Sequence, residues 1–222
     1  MTLHVILADS EIEIVPPEIA RLPAIRKDAE RRGKRAEEML LDSSLHHSAM
    51  RGLDRWERRG RPDIVHMSML IANESILNRE GMLDTVIHTR NDEVIKISPE
   101  MRVVKNYVRF RGLMEQLFMK GEVPVGNPLM RLEKGNVKAV LEEMDVDKVV
   151  LLSESGGEKN LEDVLTEHTA CIIGGFPHGD FISPVKEIAD EVVSIYPSPL
   201  PAWIALTETV VSYERKFMTR YL

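Results

Sequence analysis

The sequence predicts an α/β fold, a parallel β-sheet flanked by helices, and three observations support this prediction. The chain begins with a short apolar run, Leu3 to Ala8, which is typical of a buried strand. The last third contains further continuously apolar runs, and a helix-like segment precedes each of them. Continuous rather than alternating hydrophobicity is typical of strands that are covered on both faces, as in a parallel sheet. These runs are Val149 to Leu152, Ala170 to Ile173 and Glu191 to Ile195.

Other segments predict helices and a hairpin. Helix-forming residues from Arg26 to Met39, and apolar residues at helical spacing from Ser43 to Trp56, predict two helices. Pro62 is expected to break the second helix, because a proline restricts the residue before it, here Arg61, to extended geometry. The remaining predicted elements are a hairpin with its turn at Arg90 to Glu93 and a helix from Asn106 to Lys120.

The composition is that of an ordinary globular protein. Of 222 residues, 43% are hydrophobic and 29% are charged. No apolar run approaches the ~20 residues that span a bilayer, and the N-terminus lacks a basic segment and a cleavage site. The lone Cys171 is expected in the core, and no His or Cys pair has metal-ligand spacing, so no metal site is predicted. We expect a soluble cytoplasmic protein with a single domain, residues 1–222.

Charge is distributed unevenly along the chain. The segment from Arg21 to Arg61 has 12 Lys/Arg against 7 Asp/Glu, whereas Glu133 to Glu191 has 5 against 14. The net charge of -7 therefore conceals a basic N-terminal half. Such a half permits a polyanion to bind on one face. A solvated, salt-bridged surface is the alternative, and charge alone favours it.

A loop rich in Gly, Ser or Pro follows each C-terminal apolar run. Ligands of open α/β sheets bind beyond the carboxyl ends of the strands, so these loops predict a small-molecule cleft. Gly174 to Asp180 is the most informative loop, because glycines let a ligand approach the backbone closely. A tight strand-to-helix turn is the alternative, and neither a dinucleotide fingerprint nor a P-loop motif occurs. The other two loops are Ser153 to Gly157 and Tyr196 to Pro201.

Three cations, Arg102, Lys105 and Arg109, would share one face if their segment were helical. A stripe of like charges repels itself, so phosphates are the obvious partner. Separate surface ion pairs with Glu100 and Glu115 are the alternative interpretation.

Four motifs occur in a fixed order along the chain: Arg61 to His66, Ser75 to Asn78, Arg102 to Leu117 and Gly174 to Asp180. Together they resemble the Nep/Emg-type ribosome-biogenesis methyltransferases, which are pseudouridine-N1-specific enzymes of the SPOUT class. The likeness extends from Leu3 to the C-terminal helix. It implies a trefoil-knotted α/β fold that binds S-adenosylmethionine and forms a homodimer, with a family-specific hairpin and basic helix inserted at about 61–120.

The resemblance also implies which residues form the site. Backbone groups of two loops would hold the cofactor, and the loop after Leu152 would close the pocket. Four basic residues would contact small-subunit rRNA: Arg61, Arg102, Lys105 and Arg109. The implied cofactor-binding residues are Gly174, Gly175, Gly179, Ile195, Tyr196, Pro197, Ser198, Pro199 and Leu200.

The implied mechanism is direct methyl transfer to N1 of a pseudouridine. A sulfonium is already a potent electrophile, so the protein needs no covalent nucleophile and must chiefly position the reactants. A cationic Arg61 near the base would favour the anionic form of the base. Asp63 is expected to orient Arg61 from an extended segment, because a carboxylate bound to an arginine is a weak base. Arg61 and Asp63 are thus the nearest catalytic candidates, and no proton acceptor is assigned.

Two other functions stay open. A non-catalytic ribosome-assembly factor would bind rRNA through the same basic face, with the cofactor loops merely structural. A methyltransferase of the same class would bind the cofactor but act on another nucleotide. The apolar residues of the last helix suit a dimer interface or a core equally well: Trp203, Ile204, Leu206 and Val210.

Overall fold

The computed structural model describes residues 1–218, and an eight-stranded sheet runs through its centre. The strands are β1 Thr2–Ser10, β2 Leu83–Thr89, β3 Glu93–Ile97, β4 Glu122–Val123, β5 Met130–Lys134, β6 Lys148–Glu158, β7 His168–Gly174 and β8 Glu191–Ser194. Their order across the sheet is β4-β5-β3-β2-β1-β7-β6-β8.

The sheet has a parallel centre and an antiparallel edge. β1 pairs in parallel with β2 on one side and with β7 on the other, and β6 pairs in parallel with β7 and β8. β2 and β3 form the predicted hairpin, and β3, β5 and β4 continue the sheet as antiparallel pairs. The predicted parallel strands are confirmed. The hairpin assigned to an insertion extends the same sheet rather than forming a separate layer.

The helices are α1 Pro23–Arg32, α2 Ser43–Met50, α3 Pro62–Glu74, α4 Ile76–Arg79, α5 Tyr107–Lys120, α6 Val137–Glu142, α7 Leu161–Val164, α8 Val185–Ile188 and α9 Ala202–Phe217. None of them, within residues 1–218, is long and apolar enough to cross a membrane. Two predicted helices were too long. α1 ends where Gly33 adopts a left-handed φ of 61°, and α2 ends at Met50, before a series of turns in which Arg55 has a φ of 49°.

Apolar side chains cover both faces of the sheet, which explains why the parallel strands are continuously hydrophobic. On one face, Leu3, Val5 and Leu7 of β1 pack in the same cluster as residues of α3, α5 and α9. On the other face, Ile6 and Ala8 pack with residues of α6 and α8. Leu206 and Val210 of α9 belong to the first cluster, whereas Ile204 is 37% exposed.

Candidate functional site

A cavity of about 470 Å³ lies at the carboxyl ends of β7 and β8, beside the second half of β6. Its volume falls within the roughly 300–1,000 Å³ of small-molecule sites. The loops after β7 and β8 converge on it, as the sequence predicted, while the middle of β6 forms a further part of its wall and α9 adds Ala202 and Ala205. The strand and loop residues that line it are Leu152–Ser155, Ile173, Gly174, Phe176–Phe181, Val193–Tyr196 and Ser198–Leu200.

Seven of the nine residues proposed to bind a cofactor line this cavity, and Gly175 and Pro197 do not. Gly175 has a packing role instead. Its N–H donates to the carbonyl oxygen of Ala8 at 2.7 Å, and a Cβ at this position would lie 2.1 Å from Ser10 Oγ and 2.7 Å from Ser10 Cα. Only glycine allows the end of β7 to pack this closely on β1.

The segment after Leu152 is part of a strand, so the predicted loop from Ser153 to Gly157 was wrong in conformation. Leu152 and Gly157 both pair with Val193 of β8, and residues 153–156 bulge out between them. A Cβ on Gly156 would lie 2.6 Å from the carbonyl oxygen of Val192, so the bulge is pressed against β8. This geometry brings residues 153–155 to the cavity wall.

Phe176 shapes the glycine-rich loop after β7. Its ring packs over Gly174, where an added Cβ would lie 2.6 Å from the ring, and it meets the ring of Phe181 edge-on with centroids 5.1 Å apart. Asp9 anchors the far end of the loop, because its carboxylate accepts hydrogen bonds from the backbone N–H groups of Ile182 and Ser183 at 2.6 and 3.0 Å. The cavity wall is thus held at both ends.

Arg61 and Asp63 form a two-pronged ion pair. Arg61 Nε donates to Oδ1 of Asp63 at 2.9 Å, and Nη2 donates to Oδ2 at 2.7 Å. The hydrogen bond that Arg61 donates to Asp63 raises the pKa of Arg61, which stays a cation. The orienting contact is present, but the extended segment proposed for Asp63 was wrong: Pro62 begins α3 and Asp63 lies in its first turn. A proline at the first helical position favours the helix because it lacks only an N–H that would have no partner there.

The segment that carries Arg102 and Lys105 is not helical, so the condition for a shared helix face with Arg109 is not met. α5 begins only at Tyr107, because the side chain of Asn106 accepts a hydrogen bond from the N–H of Arg109 and caps the helix there. The three cations are all exposed, and within residues 1–218 none of them has an ion-pair partner. They therefore leave their charge available to an external anion.

Side chains of α3 hold this basic segment in place. His66 Nε2 donates to the carbonyl oxygen of Val104 at 2.7 Å, and its ring stacks on Phe110 with centroids 4.3 Å apart. Near the C-terminal end of α3, Asn73 Nδ2 donates to the carbonyl oxygen of Met101 at 3.4 Å. Sequence reasoning missed both contacts, since a histidine within an apolar run indicates only burial.

A buried charged network fastens α5 to the N-terminal helices. Glu115 is 1% exposed and accepts hydrogen bonds from Arg32 at 2.7 and 2.6 Å and from Lys34 at 2.5 Å. Glu115 is thus fully engaged inside the molecule, which excludes it as a surface partner of the basic segment. Tyr107 donates its hydroxyl to Asp42 at 2.8 Å, and burial followed by the nearby Asp42 charge raises the pKa of Tyr107.

Cys171 is fully buried in β7, as predicted for a core residue, and burial raises the pKa of its thiol to about 12. A thiol with such a pKa is not a nucleophile near neutral pH. In the part of the chain that the structure describes, no three His, Cys, Asp or Glu side chains converge as metal ligands.

Comparison with known proteins gives consistent results. The family model described as EMG1/NEP1 methyltransferase matches residues 5–214. Proteins named ribosomal RNA small subunit methyltransferase Nep1 from Methanothrix thermoacetophila and Thermococcus kodakarensis are 48% and 46% identical to the chain; each alignment covers 96% of the chain, and 95% and 97% of those proteins. The crystal structure of Archaeoglobus fulgidus Nep1 bound to S-adenosylhomocysteine superposes with a TM-score of 0.89 at 35% identity, over 97% of this chain and 99% of that one.

These matches confirm the resemblance and the SPOUT-type α/β architecture inferred from four motifs. They span nearly the whole chain rather than one shared motif. The cavity and the basic segment both lie within the matched residues. The chain belongs to the EMG1/NEP1 methyltransferase family.

Proposed function

We propose that the chain transfers a methyl group from S-adenosylmethionine to N1 of a pseudouridine in small-subunit rRNA, as a step of ribosome biogenesis. The observation that carries this proposal is that one molecule has both an open cavity at the carboxyl ends of parallel strands and an exposed basic segment whose cations have no ion-pair partner within residues 1–218. Its relatives are named as rRNA small subunit methyltransferases, and the similar crystal structure holds S-adenosylhomocysteine.

The residues present fit the cofactor. Leu152, Ile173, Val193 and Leu200 give the cavity apolar walls suited to an adenine ring, and the three loops supply backbone donors and acceptors. Because Gly174 has no Cβ, the Phe176 ring folds over it and completes one wall. When bound, S-adenosylmethionine supplies an electrophilic methyl group on a sulfonium. The chain has to orient that methyl group and exclude water.

Arg61 and Asp63 act on the substrate base in this proposal. The N1 proton of a pseudouridine must leave on or before attack, and a fixed guanidinium beside the base stabilises the anion that results. Asp63 holds the guanidinium through two hydrogen bonds, so its role is orientation. The proton acceptor is left unassigned.

Arg102, Lys105 and Arg109 bind phosphates of the rRNA in this proposal. The reacting edge of a base is hidden in a duplex, so the target nucleotide is unstacked or looped out. The chain acts in the cytoplasm, where its rRNA substrate is found.

The family resemblance further implies a homodimer and a trefoil-knotted backbone, and we propose both for this chain. Leu206 and Val210 of α9 are buried in the core and Trp203 packs partly against it, so Ile204 is the exposed apolar residue of these four that a second copy would contact. Sedimentation of the purified protein tests the dimer: a monomer at micromolar concentration would contradict it.

The cofactor assignment is tested by isothermal titration of S-adenosylmethionine and S-adenosylhomocysteine into the protein and into Gly174→Trp. We expect the wild type to bind and the variant not to bind, since an indole at position 174 would displace Phe176 into the cavity. Gly112→Trp is the control for side-chain size, because a Cβ there meets nothing within 4 Å. No binding to the wild type at millimolar ligand would leave the non-catalytic assembly factor as the better hypothesis.

The nucleotide assignment is tested by methyl transfer to matched RNA oligonucleotides that carry pseudouridine or uridine at one position. Transfer to the pseudouridine oligonucleotide alone is expected, because uridine has a glycosidic bond at N1. Transfer to both, or to guanosine, would support a methyltransferase of the same class with another target.

A further inference from the structure

A buried ion pair lies behind the glycine-rich loop, and the proposed mechanism does not use it. Glu11 is fully buried, and the side chain of Arg58 is 6% exposed and donates from Nε to Oε1 of Glu11 at 2.5 Å. The other carboxylate oxygen accepts from Arg90 Nη1 at 2.8 Å. Two buried guanidinium groups thus share one carboxylate, so these three side chains together carry one positive charge beneath the loop.

The leftover charge faces the loop itself. The guanidinium carbon of Arg58 lies 4.1 Å from the centre of the Phe176 ring, whose electron-rich face attracts a cation. Nη1 of Arg58 donates to the carbonyl oxygen of Asp180 at 2.7 Å. A Cβ on Gly179 would lie 3.6 Å from the same Nη1, so the backbone passes directly over the guanidinium. One side chain therefore contacts the loop near its start, at Phe176, and near its end, at Asp180.

Glu11 connects this loop to Arg61 through its backbone. The N–H of Glu11 donates to the carbonyl oxygen of Gly175 at 3.1 Å, and the carbonyl oxygen of Glu11 accepts from the N–H of Arg61 at 2.7 Å. A displacement of Glu11 would therefore move the start of the loop and the start of α3 together. The ion pair with Arg58 fixes the side chain of the residue at this junction.

We propose that Arg58, paired with Glu11, is a positioning residue that sets the shape of the Gly174–Phe181 loop and its register with Arg61. The inference rests on the proposed function, since that loop is taken to hold the cofactor. Arg58 does not line the cavity, so it acts through Phe176 and Asp180.

Arg58→Met tests this role. Glu11 keeps Arg90 as its partner in this variant, so no buried carboxylate is left unpaired and the chain is expected to fold. We expect the dissociation constant for S-adenosylhomocysteine to rise about tenfold, and turnover at saturating cofactor and RNA to fall, with RNA affinity within about twofold of wild type. Arg58→Lys keeps the positive charge but loses the planar guanidinium. The affinity of this variant for S-adenosylhomocysteine should therefore lie between those of the wild type and Arg58→Met.

Arg59→Met is the matched control. Arg59 is the next residue, is 11% exposed, and binds Glu13 through Nε and Nη2 at 2.8 and 2.7 Å. Its removal leaves Glu13 without its guanidinium, so the melting temperature should fall at least as far as in Arg58→Met. Cofactor affinity should nevertheless stay within about twofold of wild type, because within residues 1–218 the Arg59 side chain hydrogen-bonds only to Glu13 and to the carbonyl oxygen of Asp54.

The outcomes separate the two hypotheses. A wild type that fails to bind S-adenosylhomocysteine would overturn the proposed function and this inference with it. Wild-type binding together with unchanged affinity in Arg58→Met, or an equal loss in Arg59→Met, would overturn the inference alone. A double variant with Phe176→Leu provides the last check. Arg58→Met should reduce cofactor affinity less in the Phe176→Leu background than in the wild type, because the ring that Arg58 contacts is absent there.

Discussion

The Nε2 atom of His66 lies 2.7 Å from the carbonyl oxygen of Val104. A side chain of the Arg61 to His66 motif thus holds the backbone of the motif that begins at Arg102. The ring also stacks on Phe110 of α5, and His66 thereby joins α3, the basic segment and α5. Since residues 101–106, which precede α5, form no helix or strand, the conformation of this basic segment depends on such contacts.

His66→Phe should weaken RNA binding about fivefold and leave S-adenosylhomocysteine binding unchanged. The phenyl ring keeps the stack on Phe110 but loses a hydrogen bond of about 1 kcal/mol, which frees the basic segment. Fluorescence anisotropy with labelled rRNA fragments measures the change. His47→Phe is the control, since His47 is exposed and touches Trp56 instead. Equal RNA affinity in His66→Phe and wild type would contradict the prediction.

Replacing Arg102, Lys105 or Arg109 by Ala should reduce the dependence of RNA affinity on salt concentration. Each lost phosphate contact lowers the slope of log K against log[salt] by about one unit. Titrations between low and high salt measure the slope. Lys138→Ala is the control, because Lys138 is exposed on α6, on the opposite face of the sheet from α3 and α5. Slopes that match the wild type would remove these residues from the RNA-binding surface.

Asp63→Asn should lower RNA affinity and turnover together, and Asp63→Ala should lower both further. Asparagine keeps one oxygen acceptor for Arg61 but neither the negative charge nor the second acceptor. Glu74→Gln, which removes a carboxylate paired with Arg79 at the other end of α3, should change neither. Normal RNA and cofactor affinity with no turnover in Asp63→Asn would instead identify Asp63 as the proton acceptor.

The adjacent glycines of the β6 bulge should differ sharply in their tolerance of alanine. A Cβ on Gly156 would lie 2.6 Å from two backbone atoms of β8, whereas a Cβ on Gly157 meets nothing within 4 Å. Gly156→Ala should cost about 1–3 kcal/mol in the free energy of unfolding and weaken cofactor binding. Gly157→Ala should stay within about 0.5 kcal/mol. Urea denaturation measures the free energy of unfolding of each variant. Equal values for the two variants would contradict the prediction and show that β8 can shift to accommodate a Cβ at position 156.

The buried Glu115 should make the protein less stable in acid. Burial alone would raise the pKa of Glu115, but hydrogen bonds from Arg32, Lys34 and the N–H of Leu40 outweigh it and the pKa is lowered. The stabilisation is therefore complete above the unfolded-state pKa of about 4.3 and is lost as pH falls through the lower folded-state value.

Glu115→Gln should remove this contribution, so its free energy of unfolding should be lower at pH 7, by roughly 3 kcal/mol, and should fall less steeply below pH 5. Denaturant titrations from pH 3 to pH 7 measure both effects. Glu208→Gln, at an exposed position on α9, is the control. Parallel curves for wild type and Glu115→Gln would contradict the lowered pKa.

The strands of the sheet were predicted well, because each parallel strand is marked by an apolar run within its own few residues. Strands covered on both faces need continuous apolar runs, and β6, β7 and β8 all have them. The loops after β7 and β8 were also placed correctly. The bulge after Leu152 was not predicted, since it depends on how closely Gly156 approaches Val192, a contact between distant segments.

The substrate-side residues were harder to place. The start of α3 was missed because Pro62 disfavours helix in the residue before it but favours helix from its own position onward. Buried ion pairs were missed because a charge within a charged segment looks exposed until its partner is known. Glu11 and Arg58 are 47 residues apart, and Arg58 reaches Asp180 across 122 residues.

The central position of β1 has a consequence for biosynthesis. β1 pairs with β2 at residues 83–89 but must wait for its second neighbour, β7, until residue 168 and beyond have been made. A chain emerging from the ribosome N-terminus first can assemble α3, the β2–β3 hairpin and α5 while one edge of β1 is still open. An open apolar edge is a template for aggregation, so we expect nascent chains stalled between residues 120 and 168 to need chaperones. All four arginine and lysine residues assigned to RNA are translated before any strand that borders the cofactor cavity.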